Sequence, residues 1–184
     1  MANNRLVLDP TTIKKLQGVI QTLVQQYSAD AGSAQAEFRA QTQVVAGLET
    51  RSQSREFVNT IDEPEVLGGT NKGPNPVEVL LGSLGTCQEI VLVAYAAALG
   101  IELESVKIDV RGDIDLRGLF NVAEVPSGFN GIRFEAEIKA RNATPQQLEQ
   151  LKALGLAHCP VLDTLRRPIP VETVYRLSTS EQAA

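Results

Sequence analysis

Apolar residues near the start of the chain recur every three or four positions, which is the spacing of one helical face. Asp9 and Pro10 precede this stripe, and these residue types favour the N-cap and first turn of a helix. Small residues at positions 28–35 then indicate a linker. The stripe comprises Ile13, Leu16, Ile20, Leu23, Val24 and Tyr27. Because one helix cannot bury such a stripe alone, we expect it to dock on the core or on a partner chain.

We divide the chain into a helical leader with its linker, residues 1–35, and a core domain, residues 36–184. The core opens with two alternating segments, FRAQTQVVAGLETR and REFVNTIDEP, each of which predicts one β-strand. The segment LGGTNKGPNP, rich in Gly and Pro, then predicts a loop that ends these strands.

The longest apolar run predicts a helix from about Pro76 to Leu99, with Asn75 as N-cap and Gly100 as the stop signal. The run is apolar around nearly its whole circumference, so we expect other elements to enclose the helix. Its length also fits a membrane span. Polar and charged residues at positions 78, 88 and 89 interrupt it, and a carboxylate is costly in hydrocarbon. A buried core helix is therefore the favoured interpretation.

The second half of the core alternates again before it ends in helices. One strand is predicted around Val106–Val110 and another over GIRFEAEIKA. The segment TPQQ is a capping box that opens a helix, and a short helix is predicted after Cys159–Pro160. PVETVYRLS predicts a closing strand. Strand pairs, a central helix, further strands and late helices together indicate the α+β class.

Composition excludes some functions. The 184 residues are 43% hydrophobic and 21% charged, which is ordinary for a soluble globular protein. A net charge of −5 argues against binding to nucleic acid or to an anionic membrane, because phosphates require a basic surface. The segment MANNRLVLDPTTIKK lacks the apolar stretch of a secretory signal, so we expect a cytoplasmic protein. We expect no bound metal, since His158 is the only histidine.

The only two cysteines, Cys87 and Cys159, are the candidates for chemistry. Cys159 precedes a proline at a predicted helix start, where unpaired N–H groups and the helix dipole favour a thiolate. Cys87 lies in the apolar run with no charged residue one turn away. Burial should therefore raise its pKa unless a cation reaches it from elsewhere in the fold. Permanent disulfides are rare in a reducing cytoplasm, which leaves a redox-active pair or two unrelated core cysteines as open alternatives.

Two segments, GGTNKGPNPVEVLLGSLGTC and HCPVLDTLRR, resemble the OsmC/Ohr family of organic-hydroperoxide-reducing proteins. The specific features are a GPNP sequence that opens a helix with a cysteine about three turns in, and HCP at the start of the late helix. The resemblance covers about Glu37 to Leu177 and leaves the leader outside. It implies the OsmC-like fold, an intertwined homodimer in which antiparallel β-sheets from both chains wrap two long central helices. Active sites at the dimer interface are also implied.

The resemblance further implies a mechanism for an antioxidant stress-response enzyme. Cys87 matches the peroxidatic cysteine, which attacks a hydroperoxide and becomes a sulfenic acid, and Cys159 matches the cysteine that condenses with it to a disulfide. The resemblance implies no bound cofactor. An external lipoyl-type dithiol, free or on a lipoylated protein, would reduce the pair again, and an apolar pocket would favour fatty or aromatic hydroperoxides.

One family feature differs here. In the family, a glutamate ten residues before the peroxidatic cysteine pairs with an arginine that activates the thiolate. That position is Val77 in this chain, and the nearest carboxylate is Glu78. Arg51 and Arg55 both lie in the early-strand region where the activating arginine is expected. The alternative function is therefore an OsmC-like dimer without peroxidase activity, which binds a small apolar ligand or senses redox state.

Overall fold

The fold of residues 7–179 is described by a computed structural model. The helices in this range are α1 Pro10–Ala29, α2 Pro76–Ala98, α3 Leu116–Leu119, α4 Pro145–His158 and α5 Pro160–Arg166. The strands are β1 Gln41–Ala46, β2 Glu49–Ser54, β3 Phe57–Ile61, β4 Leu103–Ile114 and β5 Phe129–Ala140, with 3₁₀ turns at Ala31–Ala34 and Glu65–Leu67. This mixture of helices and antiparallel strands confirms the α+β class.

The strands form two separate antiparallel sheets. β1, β2 and β3 follow one another as a meander, and β4 pairs with β5 along almost the whole of both strands. The prediction of one strand over FRAQTQVVAGLETR is wrong, because the chain turns at Gly47 and returns as β2. Gly47 has a φ of 56°, a backbone conformation that glycine adopts without strain.

Helix α2 is the centre of the fold. The side chain of Asn75 accepts the N–H of Glu78, and the Glu78 carboxylate accepts the N–H of Asn75 in return, so a capping box begins the helix at the predicted residue. Gly100, with a φ of 69°, ends it as predicted. The helix packs against β4, α4, α1 and α5. Its buried residues are Leu84, Gly85, Gln88, Leu92, Ala96 and Ala97.

One chain covers only one side of α2. Ile90 is 70% exposed, and the side chains of Val79 and Leu80 are also exposed. The β1–β3 sheet makes at most marginal contact with the helix. By length and composition alone α2 could cross a membrane, but its packing on β4 and α4 is that of a core helix. Within residues 7–179, other elements therefore cover one side of α2 and leave the other side exposed.

The first half of α1 docks on the core. Asp9 caps the helix with its side chain, as predicted, and Ile13 is buried in the main apolar cluster. The side-chain amide of Gln17 donates to the carbonyl of Ala97 in α2, at 2.8 Å. The second half leaves Val19, Leu23, Val24 and Tyr27 exposed. The apolar stripe of α1 is therefore buried against the core only in its first half.

The end of the described chain, residues 168–179, is exposed and belongs to no sheet. The prediction of a closing strand over PVETVYRLS is therefore wrong for the single chain. Val171, Tyr175 and Leu177 are 79%, 83% and 88% exposed. A strand must pair its N–H and C=O groups with a neighbour, and no strand in residues 7–179 lies beside this segment.

A buried carboxylate organises the loop that leads into α2. Asp62 is 1% exposed and accepts hydrogen bonds from the backbone N–H groups of Glu63, Thr70 and Lys72. The Thr70 hydroxyl donates to it as well, at 2.7 Å. This hydroxyl, with the backbone donors, lowers the pKa of Asp62 to about 2 despite its burial. The ionised carboxylate thereby holds the Gly- and Pro-rich loop in place.

We expect Asp62 to make the protein sensitive to acid. Its pKa in the folded protein is lower than its ordinary value of 3.8, so its contribution to stability is complete above about pH 4 and is lost as the pH falls towards 2. Urea unfolding should show a lower midpoint for Asp62→Asn at neutral pH and a weaker dependence on acid. Asp113→Asn, which removes an exposed ion pair with Arg133, should change little. Equal midpoints for wild type and Asp62→Asn would contradict this account.

Candidate functional site

The two cysteines meet in the folded chain. Cys87 lies in the middle of α2, and Cys159 lies at the junction of α4 and α5, 72 positions later. Their Sγ atoms are 3.2 Å apart, and both thiols are free. Cys159 is buried and Cys87 is half-buried. The two cysteines are therefore not separate parts of the core, because their sulfurs are in contact.

The start of α5 holds both sulfurs. Cys159 is the N-cap and Pro160 the first residue of the helix, as predicted, since proline needs no partner for an N–H there. The N–H of Leu162 donates to the Cys159 sulfur at 3.4 Å. The N–H of Val161, in the same turn, favours the thiolate of Cys87. The first turn of α5 thus places two N–H groups, which have no partner inside the helix, beside the two thiols.

A second contact fixes α4 against α2 beside the thiols. Gln88 is 2% exposed, and its side-chain amide donates to the carbonyl of Gly155 in α4 at 3.3 Å. Gly155 allows this approach, because a Cβ atom there would lie 2.8 Å from the side chain of Leu92. Since α4 runs directly into Cys159, this contact helps to set the distance between the two sulfurs.

The electrostatics of Cys87 disfavour its thiolate within one chain. Burial raises the pKa of the Cys87 thiol, as predicted from its apolar surroundings. The N–H of Val161 acts in the opposite direction, and the neighbouring thiol of Cys159 raises the pKa further. Within residues 7–179, no cation is among the groups that shift it.

The three other predicted site residues lie away from the thiols. Arg51 is in the middle of β2, and Arg55 is at the turn before β3, with its guanidinium 4.9 Å from the centre of the Phe57 ring. Glu78 is used in the capping box at the start of α2, nine residues or about 13 Å along the helix from Cys87. The roles of these residues at the thiols stay predictions.

An apolar cavity of about 680 Å³ lies next to the apolar cluster that contains the two thiols, although neither cysteine lines it. Leu84, one turn before Cys87, and Leu162, whose N–H binds Cys159, belong both to the wall of the cavity and to the apolar cluster around the sulfurs. The rest of the wall comes from α2, β5, α4 and α5. The volume is in the range of small-molecule sites. The residues that line it are Leu80, Leu84, Phe129, Gly131, Ile132, Arg133, Phe134, Leu156, Leu162, Leu165 and Arg166.

The described part of the chain contains no cluster of three or more His, Cys, Asp or Glu side chains that could hold a metal ion. His158 is exposed, and its ring lies 5.2 Å from the ring of Tyr95. The arrangement at Cys87 and Cys159 is a pair of free thiols in contact.

Sequence reasoning missed Gln88 and Arg166. The sequence offered a signal for Gln88, because a lone amide side chain in an apolar helix needs a hydrogen-bond partner when it is buried. Arg166 lies at the far end of α5 from Cys159, where no effect on the thiol is expected, and its position at the cavity depends on the packing of α5 against α2 and α4.

The fold and the site define an α+β protein with two free cysteine thiols in contact. A sequence profile of the OsmC-like protein family matches residues 69–174, more than half of the chain, and the chain belongs to this family. An uncharacterized protein of Bacillus subtilis (strain 168), YmaD, is 30% identical over 74 residues, which are 40% of this chain and 49% of that protein. The chain therefore spans about half the length of this curated relative.

Solved structures confirm the OsmC-like fold. The crystal structure of an OsmC-like protein from Mycoplasma pneumoniae is similar, with a TM-score of 0.60 and 20% identity over 71% of this chain and 88% of the other. An organic hydroperoxide resistance protein OsmC from Legionella pneumophila is similar with a TM-score of 0.54 and 20% identity, over 72% and 92% of the two chains. At this level of identity the likeness establishes the fold alone.

We expect the reactivity of Cys87 to rise with pH well beyond neutrality. Its pKa is raised above the ordinary value of 9.0, so the thiolate fraction is small at neutral pH and grows about ten-fold per pH unit. The measurement is the rate of iodoacetamide alkylation in the Cys159→Ser variant, which leaves Cys87 as the only thiol, with the urea-unfolded chain as control. The folded protein should show no plateau below about pH 9.

A plateau near neutral pH would contradict this expectation. It would mean that a cation from outside the described residues 7–179, or from a second chain, reaches the sulfur of Cys87. Repeating the profile with Arg51→Gln and Arg55→Gln would then identify which of the two predicted arginines supplies it.

Proposed function

We propose that this protein is a cysteine-based thiol peroxidase that reduces organic hydroperoxides, with Cys87 as the attacking and Cys159 as the resolving cysteine. The observation that carries the proposal is the distance of 3.2 Å between two free thiols beside an apolar cavity. Membership of the OsmC-like family supports it, as does the likeness in fold to an organic hydroperoxide resistance protein. A reducing cytoplasm is the compartment in which such a pair would work.

The proposed reaction has two steps at the sulfurs. The Cys87 thiolate attacks the distal oxygen of the hydroperoxide, an S–O bond forms as the O–O bond breaks, and the alkoxide leaves as the alcohol after it takes a proton. The Cys159 sulfur then attacks the Cys87 sulfenic acid. A disulfide forms, the S–O bond breaks, and the oxygen leaves as water with the thiol proton.

The disulfide needs a reductant from outside the protein. A lipoyl-type dithiol would attack one sulfur of the pair, form a mixed disulfide and leave as a cyclic disulfide, returning both cysteines to thiols. Cys87 is the accessible member, because Cys159 is buried against α5. No bound cofactor enters this cycle.

We propose a homodimer as the working form. Large apolar side chains are exposed on three surfaces: the β1–β3 sheet, the uncovered side of α2, and the segment 168–179. Such surfaces are rare on monomers and mark interfaces. A second chain would cover α2 and give segment 168–179 a strand to pair with. The exposed residues include Val44, Phe57, Val58, Ile90, Val171, Tyr175 and Leu177.

Two observations favour the alternative, an OsmC-like dimer without peroxidase activity. Burial raises the pKa of Cys87, and the position of the family's supporting glutamate is Val77. A thiol that is rarely ionised attacks peroxides slowly. The cavity and the thiol pair would then serve to bind a small apolar ligand or to sense redox state.

We expect wild-type protein to consume cumene hydroperoxide in the presence of reduced dihydrolipoamide, and Cys87→Ser to lower the rate to that measured without protein. The hydroxyl of serine is a far weaker nucleophile than a thiolate. Without a dithiol present, Cys159→Ser should reduce one equivalent of peroxide and stop at a sulfenic acid, detectable by dimedone labelling. Thr86→Ser, a conservative change at the neighbouring exposed position of α2, is the control.

Two outcomes would contradict the enzyme. One is equal turnover by Cys87→Ser and wild type. The other is no turnover by wild type with dihydrolipoamide or any other thiol reductant, which would leave the binding or sensing function.

We expect sedimentation equilibrium to give twice the chain mass of 19.8 kDa. Ile90→Glu should weaken the dimer, because it places a charge on the apolar side of α2 that a second chain would cover. Val122→Glu changes a residue of similar exposure on the β4–β5 connection, outside the three surfaces, and serves as control. A wild-type mass of 19.8 kDa at micromolar concentration would refute the dimer.

A further inference from the structure

The cavity beside the thiols has an apolar body and a cationic rim. Its walls are Leu, Ile and Phe side chains from α2, β5, α4 and α5. Its charged lining residues are Arg133 on β5 and Arg166 at the end of α5. In the described part of the chain, no carboxylate lines it. A ligand that fills this space is therefore apolar over most of its surface and meets positive charge at one end.

The two arginines are not equivalent. Arg133 is paired with Asp113 of the neighbouring strand, so its charge is already balanced. The side chain of Arg166 makes no ion pair and no side-chain hydrogen bond with residues 7–179. Arg167, the next residue, is paired with Asp163 and does not line the cavity. Arg166 is thus the cation at the cavity whose charge has no partner within residues 7–179.

The cavity shares part of its wall with the apolar cluster around the sulfurs. Leu84 separates it from Cys87 by one helical turn, and Leu162 separates it from Cys159 by the turn that α5 makes after its N-cap. A molecule whose apolar body lies along these two leucines therefore has one end near the thiols, while its other end is close to Arg166.

We propose that Arg166 is a specificity-determining residue, which selects amphipathic molecules with an apolar body and a carboxylate at the end remote from the thiols. A guanidinium binds a carboxylate through two parallel N–H···O bonds, so one arginine suffices for one such group. A neutral molecule with the same apolar body fills the same walls but leaves Arg166 unpaired. This inference rests on the proposed function, because the cavity is taken as the substrate side of the thiol pair.

The first test measures binding without any reaction. Isothermal titration calorimetry compares octanoate with octan-1-ol, which carry the same hydrocarbon chain and differ in head group. Wild-type protein should bind octanoate about ten-fold more tightly than the alcohol, the gain of one charge-assisted pair. Arg166→Gln should abolish the difference, Arg166→Lys should restore part of it, and Arg167→Gln should leave it unchanged. Circular dichroism checks that each variant folds.

Equal binding of octanoate and octan-1-ol by wild type would overturn the inference. An undiminished preference for octanoate in Arg166→Gln would overturn it too, because the carboxylate would then be bound elsewhere. Failure of both compounds to bind would show that the cavity is not a ligand site and would overturn it as well.

A second measurement separates this inference from the proposed function. Turnover of cumene hydroperoxide is compared with turnover of its 4-carboxy derivative, which adds only the anionic group. Preference for the carboxylate, lost in Arg166→Gln, supports both proposals. A preference for octanoate that depends on Arg166, without turnover of either hydroperoxide, contradicts the peroxidase and leaves Arg166 as the determinant of ligand choice. Equal turnover of both hydroperoxides contradicts the proposed role of Arg166 and leaves the peroxidase proposal in place.

Discussion

The fold depends on one constraint, the burial of the apolar helix α2. α2 has twenty-three residues with little polar surface, and each element that covers them removes apolar surface from water and stabilises the fold. β4, α4, α5 and the first half of α1 cover one side. The other side, with Ile90 at 70% exposure, is left open together with the β1–β3 sheet and the final segment. The same constraint therefore explains both the core of the chain and its uncovered surfaces.

The thiol site is a consequence of that packing. α4 and α5 cover α2 at the level of Cys87, and the junction between them carries Cys159. Gln88 ties α4 to α2 on one side of the pair, and the first N–H groups of α5 bind the sulfurs on the other. A site built on helices that are themselves held by the core keeps its distances better than one built on loops. The geometry is favourable for disulfide formation, whereas burial works against ionisation of Cys87.

The apolar character of the region has opposite effects on chemistry and on binding. A dry environment raises the pKa of Cys87, which costs reactivity, but it also makes a cavity that apolar molecules enter readily. Charge at the rim then becomes the main source of selectivity, because apolar walls discriminate poorly between molecules of similar shape. In this chain that charge comes from Arg166, since Arg133 is already paired.

The sequence alone determined the local features and the family. The caps at Asp9, Asn75 and Cys159 follow from side chains that satisfy nearby N–H groups, and the β4 and β5 strands follow from strict alternation. The early hairpin at Gly47 was missed because a short alternating run hides a two-residue turn. Only the tertiary structure decided the contact of Cys87 with Cys159, the cavity with Arg166, and the unpaired final segment. These depend on contacts between residues far apart in the chain, which spacing along a sequence does not record.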